Sequence, residues 1–245
     1  MTKIIRRFKD FVYKISGVEK VHFIHLGKTG GTAIKYAIGQ FDQKNKLNKF
    51  IYKKIIFHHP HEITLKDIPD GERFFFSVRD PIKRFLSAFY AAKRQDVPRY
   101  KSPWSEGERK AFSFFETPND LAKSLSSQQV ELRERAEAAM KSIRHIKTTY
   151  WFWFEDKDYF LKRKDDLLMV LQQESLKEDF ARLKNKMGLP NKLRLPEDKT
   201  IAHSGDSNED RSLEEISIQN LKRWYAGDYE FLEFLRSYNL IRKSY

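Results

Sequence analysis

Apolar positions along this 245-residue chain follow two rhythms. Short unbroken runs, VHFIHL (21–26), RFFFSV (73–78) and DLLMVL (166–171), are bounded by turn residues and predict buried strands. The intervening segments carry helical spacing. TAIKYAI opens a helix directly after a glycine-rich turn. RDPIKRFLSAFYAAKR predicts a helix with Asp80 as N-cap and Pro81 in its first turn. A short helical piece, ERKAFSFF, sits among the Pro and Gly of residues 96–118. TPNDLAKSLSSQQVELRERAEAAMKSI reads as helical and opens on a capping residue. ESLKEDFARLKNKMGLP puts Leu176, Phe180, Leu183 and Met187 on one stripe, ended by Gly188 and Pro190. A last long helix follows the polar loop PEDKTIAHSGDSNEDRS, and IIFHHPHEITLKDIPDGE reads as loops around a short apolar piece. Strands alternating with helices predict an α/β fold, a parallel central sheet flanked by helices. No repeat or low-complexity linker interrupts the chain, so residues 21–245 are expected to form a single domain after a basic amphipathic segment, 1–20.

Charge narrows the partners. Forty-seven Lys and Arg against 34 Asp and Glu give a net charge of +13, which favours an anionic partner: a nucleotide, an acidic glycan, nucleic acid or a membrane surface. With no Cys, there is no disulfide framework, thiolate metal site or Cys nucleophile. No apolar run reaches the roughly 18 residues of a membrane span, and the N-terminus shows no secretory signal pattern. The expected location is therefore cytoplasmic. Ile4, Ile5, Phe8, Phe11, Val12 and Ile15 share a helical face, with Lys3, Arg6, Arg7, Lys9 and Lys14 on the other. Residues 1–17 thus fit either a first helix packed on the domain or a peripheral contact at the inner face of the membrane.

The turn HLGKTGGT (25–32) carries the candidate chemistry. Gly27, Gly30 and Gly31 allow close backbone approach to an anion, Lys28 adds a mobile charge, and Thr29 and Thr32 add hydroxyl donors. A nucleoside-triphosphate loop would begin with Gly at position 22, where the chain has His22, and strand 73–78 runs into Arg79 rather than into a magnesium-holding carboxylate.

HLGKTGGT, followed about 50 residues later by FFFSVRDPIKRFLSAFY, resembles the sulfotransferases that use 3′-phosphoadenosine 5′-phosphosulfate (PAPS), in particular the carbohydrate sulfotransferases and their bacterial relatives. The resemblance implies that Lys28, Thr29, Gly30, Gly31 and Thr32 hold the 5′-phosphosulfate and that Arg79 and Ser87 hold the 3′-phosphate. It spans roughly residues 21–235. Gly27 departs from the family pattern, where many relatives have Pro. Sulfuryl transfer builds charge on the leaving phosphate, which Lys28 and loop N–H groups can stabilise with no metal. The implied acceptor is a hydroxyl of a saccharide or glycolipid.

That hydroxyl needs a proton acceptor. His58, His59 and His61 precede the second strand, where related enzymes carry a catalytic His, some in a His-x-His pair. Neighbouring Lys and Arg would keep such a ring neutral near pH 7. His61 is the favoured base and His59 the next. The three rings also fit a metal site, though no nearby Cys and no carboxylate at a ligand spacing completes one, or simple loop histidines. His203 is a further candidate contact to the nucleotide, and Trp104 to the acceptor. The aromatic run YWFWFEDKDYF (150–160) fits ring stacking or plain core packing. Two other functions fit parts of the pattern: a P-loop-type small-molecule kinase, and a basic nucleic-acid-binding module, for which no recognised motif is present.

Overall fold

The structure, a computed structural model, describes residues 12–13, 15–44, 48–98, 100–198 and 209–242. His203 and residues 1–11 and 14 of the basic segment lie outside the described residues. The described residues fall into two compact units, one drawn from residues up to 26, 30–78 and 153–197, the other from 27–29, 79–152 and 198 onward.

The first unit holds four parallel strands, β1 (Glu19–Ile24), β2 (Lys54–His58), β3 (Arg73–Val78) and β4 (Leu167–Gln172), in the order β2-β1-β3-β4. Val21 pairs with Arg73 and Ile56, and Ile24 with Phe76, so the sheet is in register around β1. One face buries Val21, Phe23, Ile56 and Phe75 against Ile34, Ile38 and Phe41 of helix α1 (Gly31–Lys44), and against Phe180, Leu183 and Met187 of a helix at Leu176–Met187. Alternation turns His22, Phe74 and Phe76 to the other face, where Phe154 and Phe160 pack on Phe76. β2 is a correction to the sequence reading: KIIFH is a full strand, not a loop-bound apolar piece. Its pairing to β1 supplies the order that three apolar residues could not announce.

The second unit is helical. Helix α2 (Pro81–Lys93) starts where expected, with the Asp80 side chain accepting from the Lys83 N–H at 2.9 Å and Pro81 in the first turn. Phe85, Phe89 and Ala92 of α2 pack with Ala111, Leu121, Ala136, Met140, Leu221 and Tyr225 in one core. Two continuous helices of the sequence reading are broken. TPND…KSI is Pro118–Ser124, opened by a Thr117–Asp120 capping box, then Val130–Ser142. The final helix is Glu215–Trp224 and then Ala226–Ser237, parted at Tyr225.

Candidate active site

The glycine-rich turn links β1 to α1. Lys28 and Gly30 both take positive φ, 65° and 86°, a conformation that costs a lysine side chain and that Gly30 accepts freely. The Gly30 carbonyl accepts from the N–H groups of Ala33 and Ile34, which closes the first turn of α1. The N–H groups of Gly31 and Thr32 belong to the set that no intrahelical carbonyl satisfies, and they carry the positive end of the helix dipole. Gly31 has a further reason to be Gly: an added Cβ would lie 2.1 Å from the His25 ring.

Lys28 is half-buried beside cations. Burial, chiefly, holds its ammonium down at about 8; Arg94 and Arg79 push the same way, while Asp96 and Glu209 oppose them. Those two acids are already engaged, Asp96 by Arg144 and Glu209 by Arg94 and Arg211. Arg79 Nη1 donates to the Lys28 carbonyl at 3.4 Å. The second cation of the sequence reading therefore sits at the loop itself, in an excess of positive charge suited to a multiply charged anion. Ser87 is half-buried on α2, one helical turn past the buried Arg84.

The histidines form two sets. His61 Nδ1 lies 2.8 Å from the His25 carbonyl, which can only accept, so Nδ1 carries the proton and the neutral ring has its lone pair on Nε2. The His25 and His61 rings are 3.9 Å apart, and Trp153 Nε1 donates to the His61 carbonyl at 2.7 Å. In the other set His22 Nε2 donates to Glu72 at 2.6 Å, which leaves His22 Nδ1 to accept from His59 Nε2 at 2.8 Å. His59 is thus fixed with its lone pair on Nδ1. Burial, with His22, Lys35 and His58 adding to it, pushes His59 down to about 4. His22 is also lowered by burial, against the pull of Glu72. The pKa of His58, at the end of β2, is lowered by partial desolvation of its ring, with Lys35 pushing the same way.

Sequence reasoning missed His22, His25 and Glu72. The available signal was two titratable rings inside the otherwise apolar strand VHFIHL, which pointed to built-in partners rather than to solvent. It also missed Arg84, Tyr150 and Asp228. Trp104 donates its indole N–H to the Ala92 carbonyl at 2.7 Å and packs on Phe112, so its polar group is already used. Most of the aromatic run 150–160 is packing: Tyr150, Trp153, Phe154 and Phe160 are buried, and Trp151 meets Phe231 edge-on, while Phe152 is exposed. Among the described residues, no group of three or more His, Asp or Glu is placed to hold a metal ion.

Residues 12–235 match a family model described as the sulfotransferase family. No curated protein matches the chain.

Proposed function

Because the chain belongs to the sulfotransferase family, it moves sulfuryl groups, and we propose that it does so from PAPS to a hydroxyl of a carbohydrate or glycolipid acceptor, with His61 as the base. The observation that carries this reading is the pairing of Lys28 with Arg79 at one loop: PAPS has phosphate at both ends of its ribose and needs two cationic contacts. The residues present fit such a group, with positive φ at Lys28 and Gly30, N–H groups at the start of α1, and cations beyond those their acids neutralise.

When bound, PAPS supplies the sulfuryl group and leaves as the 3′,5′-bisphosphate. Lys28 and the N–H groups of Gly30 to Thr32 stabilise charge at the 5′ end, and Arg79 with Ser87 hold the 3′ end. His61 takes the acceptor proton on Nε2. As an imidazolium it still donates Nδ1–H to the His25 carbonyl, which steadies the cation without rotating the ring. His59 is poorly suited to that role, since a ring held at about 4 keeps a proton poorly near neutral pH.

The test is calorimetric titration with 3′-phosphoadenosine 5′-phosphate in EDTA, alongside ATP with magnesium, on the native chain and on Arg79→Ala. Metal-independent binding of the bisphosphate, lost in the variant, is the expected result. Binding of ATP with magnesium in its place would turn the reading toward a kinase.

A further inference from the structure

Where β3 ends, the backbone of Arg79 leaves the sheet, and one side chain takes over both of its polar groups. The Tyr150 hydroxyl accepts from the Arg79 N–H at 3.1 Å and donates to the Arg79 carbonyl at 2.6 Å. A Tyr hydroxyl has one proton and two lone pairs, so this pair of hydrogen bonds to a single residue fixes the peptide planes on either side of Arg79 at once. Tyr150 is wholly buried, its own N–H donates to Asp228 Oδ1 at 2.8 Å, and its ring lies under the Arg84 guanidinium at 5.0 Å.

Arg84 and Asp228 are a buried ion pair, 3.3 Å apart. Arg84 forks further, through Nε to the Gly27 carbonyl at 3.0 Å and through Nη2 to the Thr148 carbonyl at 2.7 Å. Turning the Gly27 carbonyl toward Arg84 points the Lys28 N–H the opposite way, because a trans peptide sets the two antiparallel. The Lys28 carbonyl meets Arg79, so the Thr29 N–H is likewise turned away from that guanidinium. The Lys28 N–H thus points away from Arg84 and the Thr29 N–H away from Arg79, which sets the Thr29 N–H and the Arg79 guanidinium on opposite sides of the Lys28–Thr29 peptide. That division is what a ligand with two phosphates on different carbons of one ribose requires.

We propose that Tyr150, held by the Arg84–Asp228 pair, is a positioning residue that aims Arg79 at a 3′-phosphate and so sets the preference for nucleotides that carry one. The inference rests on the PAPS reading above. A purely structural role for Tyr150 would weaken every nucleotide alike, whereas a positioning role acts on the ligand with the 3′-phosphate.

The experiment compares 3′-phosphoadenosine 5′-phosphate with adenosine 5′-phosphate, two ligands that differ only in that group, by calorimetry on the full chain. Tyr150→Phe keeps the ring over Arg84 and the N–H bond to Asp228 and removes only the hydroxyl. The bisphosphate should bind about tenfold more weakly, and the monophosphate within about twofold of native. Tyr229→Phe, which removes the hydroxyl 3.3 Å from Asp80, should leave the ratio unchanged. Arg84→Lys keeps a charge opposite Asp228 but loses the fork, and is expected to shift the ratio the same way, so the question stays answerable if Tyr150→Phe does not fold. An unchanged ratio in Tyr150→Phe, or in Arg84→Lys where that variant must stand in, overturns the inference while leaving the donor reading intact. A native chain with no preference for the bisphosphate overturns the donor reading and, with it, the inference.

Discussion

A lysine ammonium held at about 8 is a charge that a ligand can restore. Above that pH Lys28 in the free protein has lost its proton, and a phosphate placed beside it favours the charged form, so binding takes a proton up. Calorimetry of 3′-phosphoadenosine 5′-phosphate at pH 9 in buffers of differing ionisation enthalpy should show net proton uptake, absent at pH 6.5 and absent in Lys28→Met. His59 gives the opposite kind of linkage. Its folded value, about 4, lies below the 6.5 of a free ring, so between those values the unfolded chain binds the extra proton and stability falls as pH drops through that window. The melting temperature of His59→Asn should fall less over pH 6.5 to 4.5 than that of the native chain; parallel curves would mean that His59 is not held neutral. Glycines at this scale were only half legible. Gly31, whose place in the loop predicts room for an anion, also makes room for His25 by its missing Cβ, and Gly27 faces the His145 ring at 2.4 Å from where a Cβ would sit. Gly31→Ala should therefore lower stability by about 1–3 kcal/mol in denaturant unfolding, as overpacking does, whether or not nucleotide is present.

At the scale of elements, the helix that begins at Pro81 depends on Asp80, which caps the Lys83 N–H and accepts from Tyr229. Asp80→Ala should cost about 1 kcal/mol of stability in urea unfolding and weaken the bisphosphate less than Arg79→Ala does, because it loosens the helix start and leaves the guanidinium in place. This element was readable from the chain, since a capping Asp followed by Pro and an apolar stripe states its own start. The strands RFFFSV and DLLMVL were readable for a similar reason: aromatic and branched runs that long find few other uses. β2 was not, because in KIIFH only three apolar residues stand between a Lys and a His, and their meaning comes from pairing with β1. Nor was the break at Tyr225. The apolar spacing continues across it, and what parts the helices is a residue buried in the second unit's core with its hydroxyl on the Ile146 carbonyl. Partners distant in sequence, such as Glu72 for His22 or Asp228 for Arg84, leave no trace in local pattern at all.

Over the whole molecule the net charge of +13 acts beyond any one site. A field of that size draws anions in, and it is screened as salt rises and the Debye length shrinks from about 10 Å at 0.1 M to about 3 Å at 1 M. Two parts of the excess can be separated by experiment. Lys28, Arg79 and Arg94 stand close enough together for Arg94 and Arg79 to disfavour the Lys28 ammonium, and the attraction proposed here for a bisphosphate would be local and partly shielded from salt. Lys3, Arg6, Arg7 and Lys9 share the N-terminal stretch with a single Asp10, and a contact they make with anionic lipid headgroups would be exposed and fully screened. Replacing these four with Gln leaves Tyr13 in place, whose carbonyl accepts from the Val18 N–H at the start of the sheet. If these residues dock on lipid, the native chain binds vesicles containing phosphatidylserine at 0.05 M salt and releases them by 0.5 M, while the variant binds little at either and keeps its bisphosphate affinity within about twofold; if they form a first helix packed on the domain, the two proteins do not differ. Equal vesicle binding by the two proteins would remove the N-terminal segment from the account and place the lipid attraction, where any is measured, on the remaining basic surface.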